Sequence, residues 1–160
     1  MLEKSPFDPT LWISMGAMRE IIGDFDGAKQ AWQWVETEFP KDPTAIFNLA
    51  SMYATSLKDY TNSEKEYLKA IEIKPDYSYA NYNLGVMYFN SGNEWNEKLN
   101  KLPLRDPKTK EYETKSNDYF KKAVTYFEKA YEVSPDKATK QRLRQLLLRL
   151  GETEKADKYK

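Results

Sequence analysis

The sequence predicts an all-α chain of paired helices, and three observations carry that prediction. The first is a recurring helical face in which a large residue precedes a small one. It appears as Tyr82, Leu84, Gly85 and Tyr88 within the stretch Tyr79–Gly92, as Phe47…Leu49-Ala50…Tyr53, and as Trp12…Met15-Gly16. Glycine inside a helix costs about 1 kcal/mol relative to alanine, so Gly85 is expected where a second helix passes too close for a side chain. The second observation is punctuation: Pro40, Pro75 and Pro135 each end an apolar-periodic run, and proline cannot continue a helix. The third is composition, 31% charged with only 6 Gly and 8 Pro in 160 residues, which favours a folded helical chain over a disordered one.

Taken in order, Pro6-Phe7-Asp8-Pro9 reads as an extended lead-in, because residues before proline avoid the helical region. A first helix is expected from about Thr10 to Ile22 and a turn at Gly23-Asp24. A second helix then carries Phe25, Ala28, Trp32 and Val35 on one face. The next pair spans Thr44 to Leu57 and Tyr60 to Ile73, with 35 residues separating Pro40 from Pro75.

Trp12, Gly16, Gly23, Phe25, Ala28, Trp32 and Pro40, and then Leu49-Ala50, Tyr53, Tyr60, Tyr67, Ala70 and Pro75, fall as they do in a tetratricopeptide repeat, which this pattern resembles. It departs at Arg19, where the family has an aromatic residue, and at Val35, where it has a small one. Ser63 replaces the usual alanine with another small residue, and the extra residue of the second repeat is expected near Lys58-Asp59. The resemblance implies a right-handed superhelix of antiparallel helix pairs. It divides the chain into repeats at about 9–42, 43–77 and 78–137, with a partial repeat or cap at 138–160, all in one domain.

The third repeat is too long. From Pro75 to Pro135 is 60 residues, about 26 more than one repeat. Trp95, Leu99 and Leu102 prolong the apolar face of Tyr88, and Tyr112, Ser116 and Tyr119 lead back to Phe120, Ala123 and Phe127. The spacing therefore predicts that 94–117 is a helical hairpin, each helix longer by about three and a half turns. Asp106-Pro107 reads as the start of the returning helix, aspartate capping free amides and proline taking the first turn. Beyond Pro135, Leu143, Leu146, Leu147 and Leu150 form an i, i+3, i+4, i+7 stripe. Gly151 turns the chain and Ala156 supplies the next small residue.

The chain contains no Cys and no His. Disulfides, thiol nucleophiles, imidazole bases and the usual zinc and haem ligand sets are therefore excluded, and neither a cofactor nor a metal is expected. Glu36/Glu38 and Glu64/Glu66 stand at i, i+2, which does not share a helix face, so they read as solvated charges. The acids flanking Phe25 would repel a phosphate. No enzymatic activity is expected. No apolar run approaches the ~20 residues that span a bilayer, and Met1–Pro6 lacks the apolar core of a signal peptide. A cytoplasmic location is the expectation. Lys137, Lys140, Arg142, Arg144 and Arg149 lie opposite the leucine stripe, but one basic helix is too little for a nucleic-acid or membrane face, and neither partner is expected.

The resemblance assigns one face of each repeat's first helix to a concave groove that binds peptides. That places Phe47, Asn48, Tyr79, Tyr82, Asn83 and Phe89 in a candidate site, with Arg142 at its end. Asn48 and Asn83 occupy equivalent places, from which an amide can hold a ligand's backbone. The carboxylate clamp of some relatives is absent, because Ile13, Ala17 and Tyr79 stand where its charged or amide members would be. With few cations in the groove, a largely uncharged peptide or protein segment is expected. The competing reading is a purely structural scaffold, self-assembling or engineered from two repeat proteins. Residues 1–76 hold 8 Lys+Arg against 13 Asp+Glu, and 77–160 hold 17 against 12. That opposition also admits a monomer or weak head-to-tail self-association.

Overall fold

The computed structural model describes residues 9–160, so the expected lead-in over residues 6–8 lies outside it. The described residues are helical, with no strand among them, and the chain divides into two compact units, Met1–Pro75 and Asp76–Lys160. The first unit holds α1 (Pro9–Ile21), α2 (Phe25–Glu38), α3 (Pro43–Thr55) and α4 (Tyr60–Ile73). The second holds α5 (Ser78–Asn100), α6 (Thr109–Val133), α7 (Lys137–Arg149) and the short α8 (Thr153–Ala156), closed by a 3-10 turn at Asp157–Tyr159.

Aspartate starts four of these helices. Asp24, Asp42, Asp59 and Asp136 precede α2, α3, α4 and α7, and each side chain accepts a backbone N–H from the first turn. A carboxylate there satisfies amides that have no partner within the helix and meets the positive end of its dipole. The link from α1 to α2 is 22–24 and turns on Gly23, at φ 81°; the link from α3 to α4 is 56–59, one residue longer, and turns on Lys58, at φ 55°. The extra residue of the second repeat therefore sits in this turn.

Within the first unit the core gathers Ala28, Trp32, Leu49, Met52 and Tyr53, with Ile13 and Leu57 packed against them. A Cβ at Gly16 would lie 2.6 Å from the Trp32 ring, so α1 can seat that indole only with glycine. Phe25 is more exposed than its periodicity suggests, at 38%, because it occupies the first position of α2. Buried Ser63 of α4 donates to the Ala50 carbonyl at 2.9 Å and so ties the two helices at their closest approach.

The second unit uses the same devices over a greater length. A Cβ at Gly85 would lie 2.9 Å from Phe127, and one at Gly92 would lie 2.6 Å from Phe120. Both glycines lie on α5 and both rings on α6, seven residues apart in each case, so the helices run antiparallel with two close contacts two turns apart. Ser116 donates to the Gly92 carbonyl at 2.9 Å, and beyond it Trp95 meets Tyr112 edge-on at 5.2 Å. Leu143, Leu146 and Leu147 of α7 are buried, as is Ala156 of α8.

The long hairpin is shorter in helix than its periodicity predicted. Three and a half extra turns per helix were expected, but α5 ends at Asn100 and α6 begins at Thr109, leaving 101–108 as a tip. Pro103 denies its predecessor the helical region, and the Leu102 N–H closes on the Leu99 carbonyl at 3.1 Å. Nor does Asp106 cap the helix. Its carboxylate accepts the Lys108 N–H at 2.8 Å, forming a separate turn just before α6.

Candidate functional site

In the second unit, the start of α5, the end of α6 and the start of α7 converge on a pocket of ≈ 370 Å³. Ser78, Tyr79, Tyr82 and Asn83 of α5 form one wall, Ala130 and Ser134 another, and Asp136 and Thr139 the third. Helical pitch aligns the first wall, since residues three and four apart share a face. Tyr79 is 70% exposed at the mouth and meets Tyr77 edge-on at 6.4 Å. Among the described residues no hydrogen bond engages the half-buried Asn83 amide. The Asp136 carboxyl is held below its ordinary value by the Thr139 side chain and the Thr139 N–H, and further by Arg142. It is therefore ionised at neutral pH and occupied as a helix cap.

Arg142, one turn along α7 from this pocket, lies over three rings. Its guanidinium carbon is 5.8 Å from the centroid of Tyr82, 5.6 Å from Phe89 and 5.4 Å from Phe127. One of its N–H groups donates to the Tyr82 hydroxyl at 3.2 Å. A guanidinium on aromatic faces gains cation–π attraction and keeps its other donors for a further partner. Five of the expected site residues thus fall in this unit. Tyr79, Tyr82 and Asn83 line one pocket, and Tyr82, Phe89 and Arg142 share one cluster.

The other two lie in the first unit. Phe47 and Asn48 occupy α3, where the Phe47 ring is 5.9 Å from that of Tyr67 and the Tyr67 hydroxyl pairs with Ser51 at 2.9 Å. Sequence reasoning missed Ser134, Asp136 and Thr139 of the pocket and Phe127 beneath Arg142. The Pro135-Asp136-Lys137-Ala138-Thr139 stretch carried a legible helix-start signal, and that signal would have placed Asp136 and Thr139 at the beginning of α7.

One expectation about charge is overturned. Glu66 was read as a solvated surface acid, yet it is only 5% exposed. It faces Glu36 of α2 across the fold, and Lys69 pairs with Glu36 beside it. Burial first, and then the neighbouring Glu36, push the Glu66 carboxyl above its ordinary value. Glu64 and Glu66 do point to different faces of α4, but the acid that meets Glu66 is Glu36 on α2.

Two segments match models of this architecture: residues 55–92 match "TPR repeat" and residues 115–137 match "Tetratricopeptide repeat". No curated protein sequence matches the chain. Among solved structures, a putative protein binding protein from Bacteroides ovatus ATCC 8483 is similar with a TM-score of 0.71 at 17% identity, over 95% of this chain and 77% of that one. The first TPR of Spaghetti (RPAP3), bound to the HSP90 peptide SRMEEVD, gives 0.66 at 16% identity, over 94% of this chain and 99% of that one. An O-GlcNAc transferase from Thermobaculum terrenum gives 0.61 at 17% identity, over 87% of this chain but only 22% of that one. At these identities the likeness is one of fold. No helix among the described residues is long and apolar enough to cross a membrane.

Proposed function

The chain is a tetratricopeptide repeat protein, and we propose that it is a non-enzymatic scaffold holding a peptide or protein segment on the face of Tyr79, Tyr82, Asn83, Phe89 and Arg142. The observation that carries this reading is the ≈ 370 Å³ pocket with Tyr79, Tyr82 and the unengaged Asn83 amide together on its α5 wall. Aromatic walls supply apolar contact area with little rotamer entropy to lose. The amide can accept and donate to one peptide group of an extended chain. A neutral hydrogen bond of that kind is worth only about 0.5–1.5 kcal/mol net, so Asn83 sets register and the rings supply most of the affinity. Phe47 and Asn48 give the first unit an equivalent aromatic–amide pair on α3. The solved relative that carries an HSP90 peptide supports a peptide-holding role for this fold, although the acidic-tail clamp has no counterpart here. The ligand is a largely uncharged segment, and the location cytoplasmic.

The test is selection from a displayed library of random peptides against the full chain, followed by titration of the selected peptide. Asn83→Ala is expected to weaken binding about fivefold, corresponding to about 1 kcal/mol, and Tyr82→Ala by more, both with unchanged helicity. Two variants that bind like the parent overturn the reading.

A second reading has its own observation. Arg142 bonds Tyr82 of α5 and lies over Phe127 of α6, so it clamps three helices together, as a purely structural scaffold would need. If Arg142→Gln lowers the melting temperature and no selected peptide saturates the chain, the structural reading holds. The opposed net charges of residues 1–76 and 77–160 would then favour weak head-to-tail association, visible as salt-dependent sedimentation.

A further inference from the structure

The far end of the α5–α6 hairpin carries chemistry that the peptide-holding face does not use. The last residue of α7, Arg149, reaches the level of Phe120, its guanidinium carbon 4.4 Å from that ring, and lines a depression with Leu99 and Glu113. Beyond that level the stalk is sealed by Trp95 against Tyr112, with Lys98 and Lys115 each 4.4 Å from the Trp95 centroid. The tip itself is not sealed. Leu104 is 94% exposed. Arg105 beside it has φ 66°, a left-handed conformation that a residue with a side chain adopts only at a cost. A bare leucine presented on a strained turn is unfavourable for folding twice over, and strain of this kind clusters where a segment has work to do.

Charge is arranged around that apex. Residues 101–110 hold Lys101, Arg105, Lys108 and Lys110 against Asp106 alone, a net of +3. The Asp106 carboxylate is occupied with the Lys108 N–H. The stalk, residues 94–100 and 111–117, holds Glu94, Glu97, Glu111 and Glu113 against Lys98 and Lys115, a net of −2 set back from the apex on both helices. A negatively charged surface would therefore attract the tip and repel the stalk, holding the hairpin end-on.

We propose that the tip at 101–108 docks on an anionic lipid surface, Leu104 entering the headgroup–acyl boundary and Lys101, Arg105, Lys108 and Lys110 meeting the lipid anions. The shape favours lipid over a folded protein. A convex apex with one projecting leucine needs a matching hole in a protein, whereas lipid closes around it. One leucine alone is too small an anchor to hold a chain on lipid, and the basic cluster is the second signal that reversible docking needs. This site differs from α7, the basic helix weighed above: Leu143, Leu146 and Leu147 of its stripe are buried inside the unit and cannot insert, and Leu148 is only 45% exposed where Leu104 is 94%. The earlier expectation of no membrane partner rested on that helix, and it does not extend to the tip.

The experiment is co-sedimentation of the full chain with phosphatidylcholine vesicles, with and without phosphatidylserine. Binding is expected only when phosphatidylserine is present, and it should vanish near 1 M salt, where screening acts within about 3 Å. Neutralising Arg105, Lys108 and Lys110 to Gln should each cost about fivefold in partitioning. Leu104→Ala should cost about tenfold or more, having removed three insertable carbons. These positions are exposed, so the melting temperature should not move, and Tyr82→Ala should bind vesicles like the parent. The proposal is overturned if phosphatidylserine vesicles fail to bind at low salt, or if Leu104→Ala and the Gln variants bind them unchanged. Binding to poly-glutamate without binding to vesicles would overturn it too, making the tip a protein-docking knob.

Discussion

The α3–α4 hairpin and the α5–α6 hairpin are built from one set of contacts, used once in the first and extended in the second. In α3–α4 a buried serine, Ser63, bonds the carbonyl of a small residue, Ala50, on the facing helix. In α5–α6 Ser116 does the same to Gly92, but a second glycine layer, Gly85 against Phe127, lies two turns nearer the base. Lengthening the repeat thus required no new packing rule. Seven residues bring the same helix face round again to within about 20°, so a close-contact layer that works once works again one heptad on. The long hairpin differs only past the last glycine, where aromatic edges and lysines replace it.

The sharpest way to break that comparison is to remove a ring from the outer layer. Phe120→Ala is expected to destabilise the second unit by about 3–5 kcal/mol, as Phe127→Ala should at the inner layer, measured by urea denaturation. Gly92→Val, which drives a side chain into Phe120, should cost about 1–3 kcal/mol. If Phe120→Ala cost under about 1 kcal/mol, like an ordinary surface change, the outer layer would be a decoration on the inner one and the two hairpins would not share a design.

A smaller effect separates the units by pH. The Glu66 carboxyl, raised above its ordinary 4.5 by burial and by Glu36, holds its proton to a higher pH in the folded chain than in the unfolded one. Stability from this group is therefore fully present below the unfolded value and is lost as pH rises through the folded one. Glu66→Gln, neutral at every pH, is expected to stabilise the chain at neutral pH by on the order of 1 kcal/mol and to flatten the pH profile above 4.5. A profile identical in parent and variant would show that Glu66 stays charged, compensated by its ion pair with Lys65 and by nearby Lys69.

The smallest effect compares the two turns of the first unit. Gly23 and Lys58 both adopt positive φ, a conformation that costs a residue with a side chain about 1–2 kcal/mol. Gly23→Ala should lower stability by about 1 kcal/mol. Lys58→Gly should raise it by only about 0.5 kcal/mol, because glycine also gives the unfolded chain more freedom to lose. Thermal melts of the two variants should move in opposite directions; movement in the same direction would mean that the longer turn is not strained at Lys58.

What the amino-acid sequence determined is what a helix determines within itself. Period, proline and glycine marked the helices, and the residues unable to bear a Cβ, Gly16 and Gly85, marked where another helix must pass. Trp32 and Phe127 were legible as apolar-face residues of the paired helices, but only the fold set them against those glycines. Tertiary structure alone decided what depends on distant residues meeting. The repeat resemblance put Arg142 and Tyr82 in one groove, but only the fold sets the guanidinium on the Tyr82 hydroxyl across 60 residues. Glu66 turns inward against Glu36, which no argument along its own helix could find. The hairpin ends at Asn100 and resumes at Thr109 although the apolar period runs on, because proline geometry and local hydrogen bonds at the tip outweigh a stripe that has run out of a neighbour to pack against.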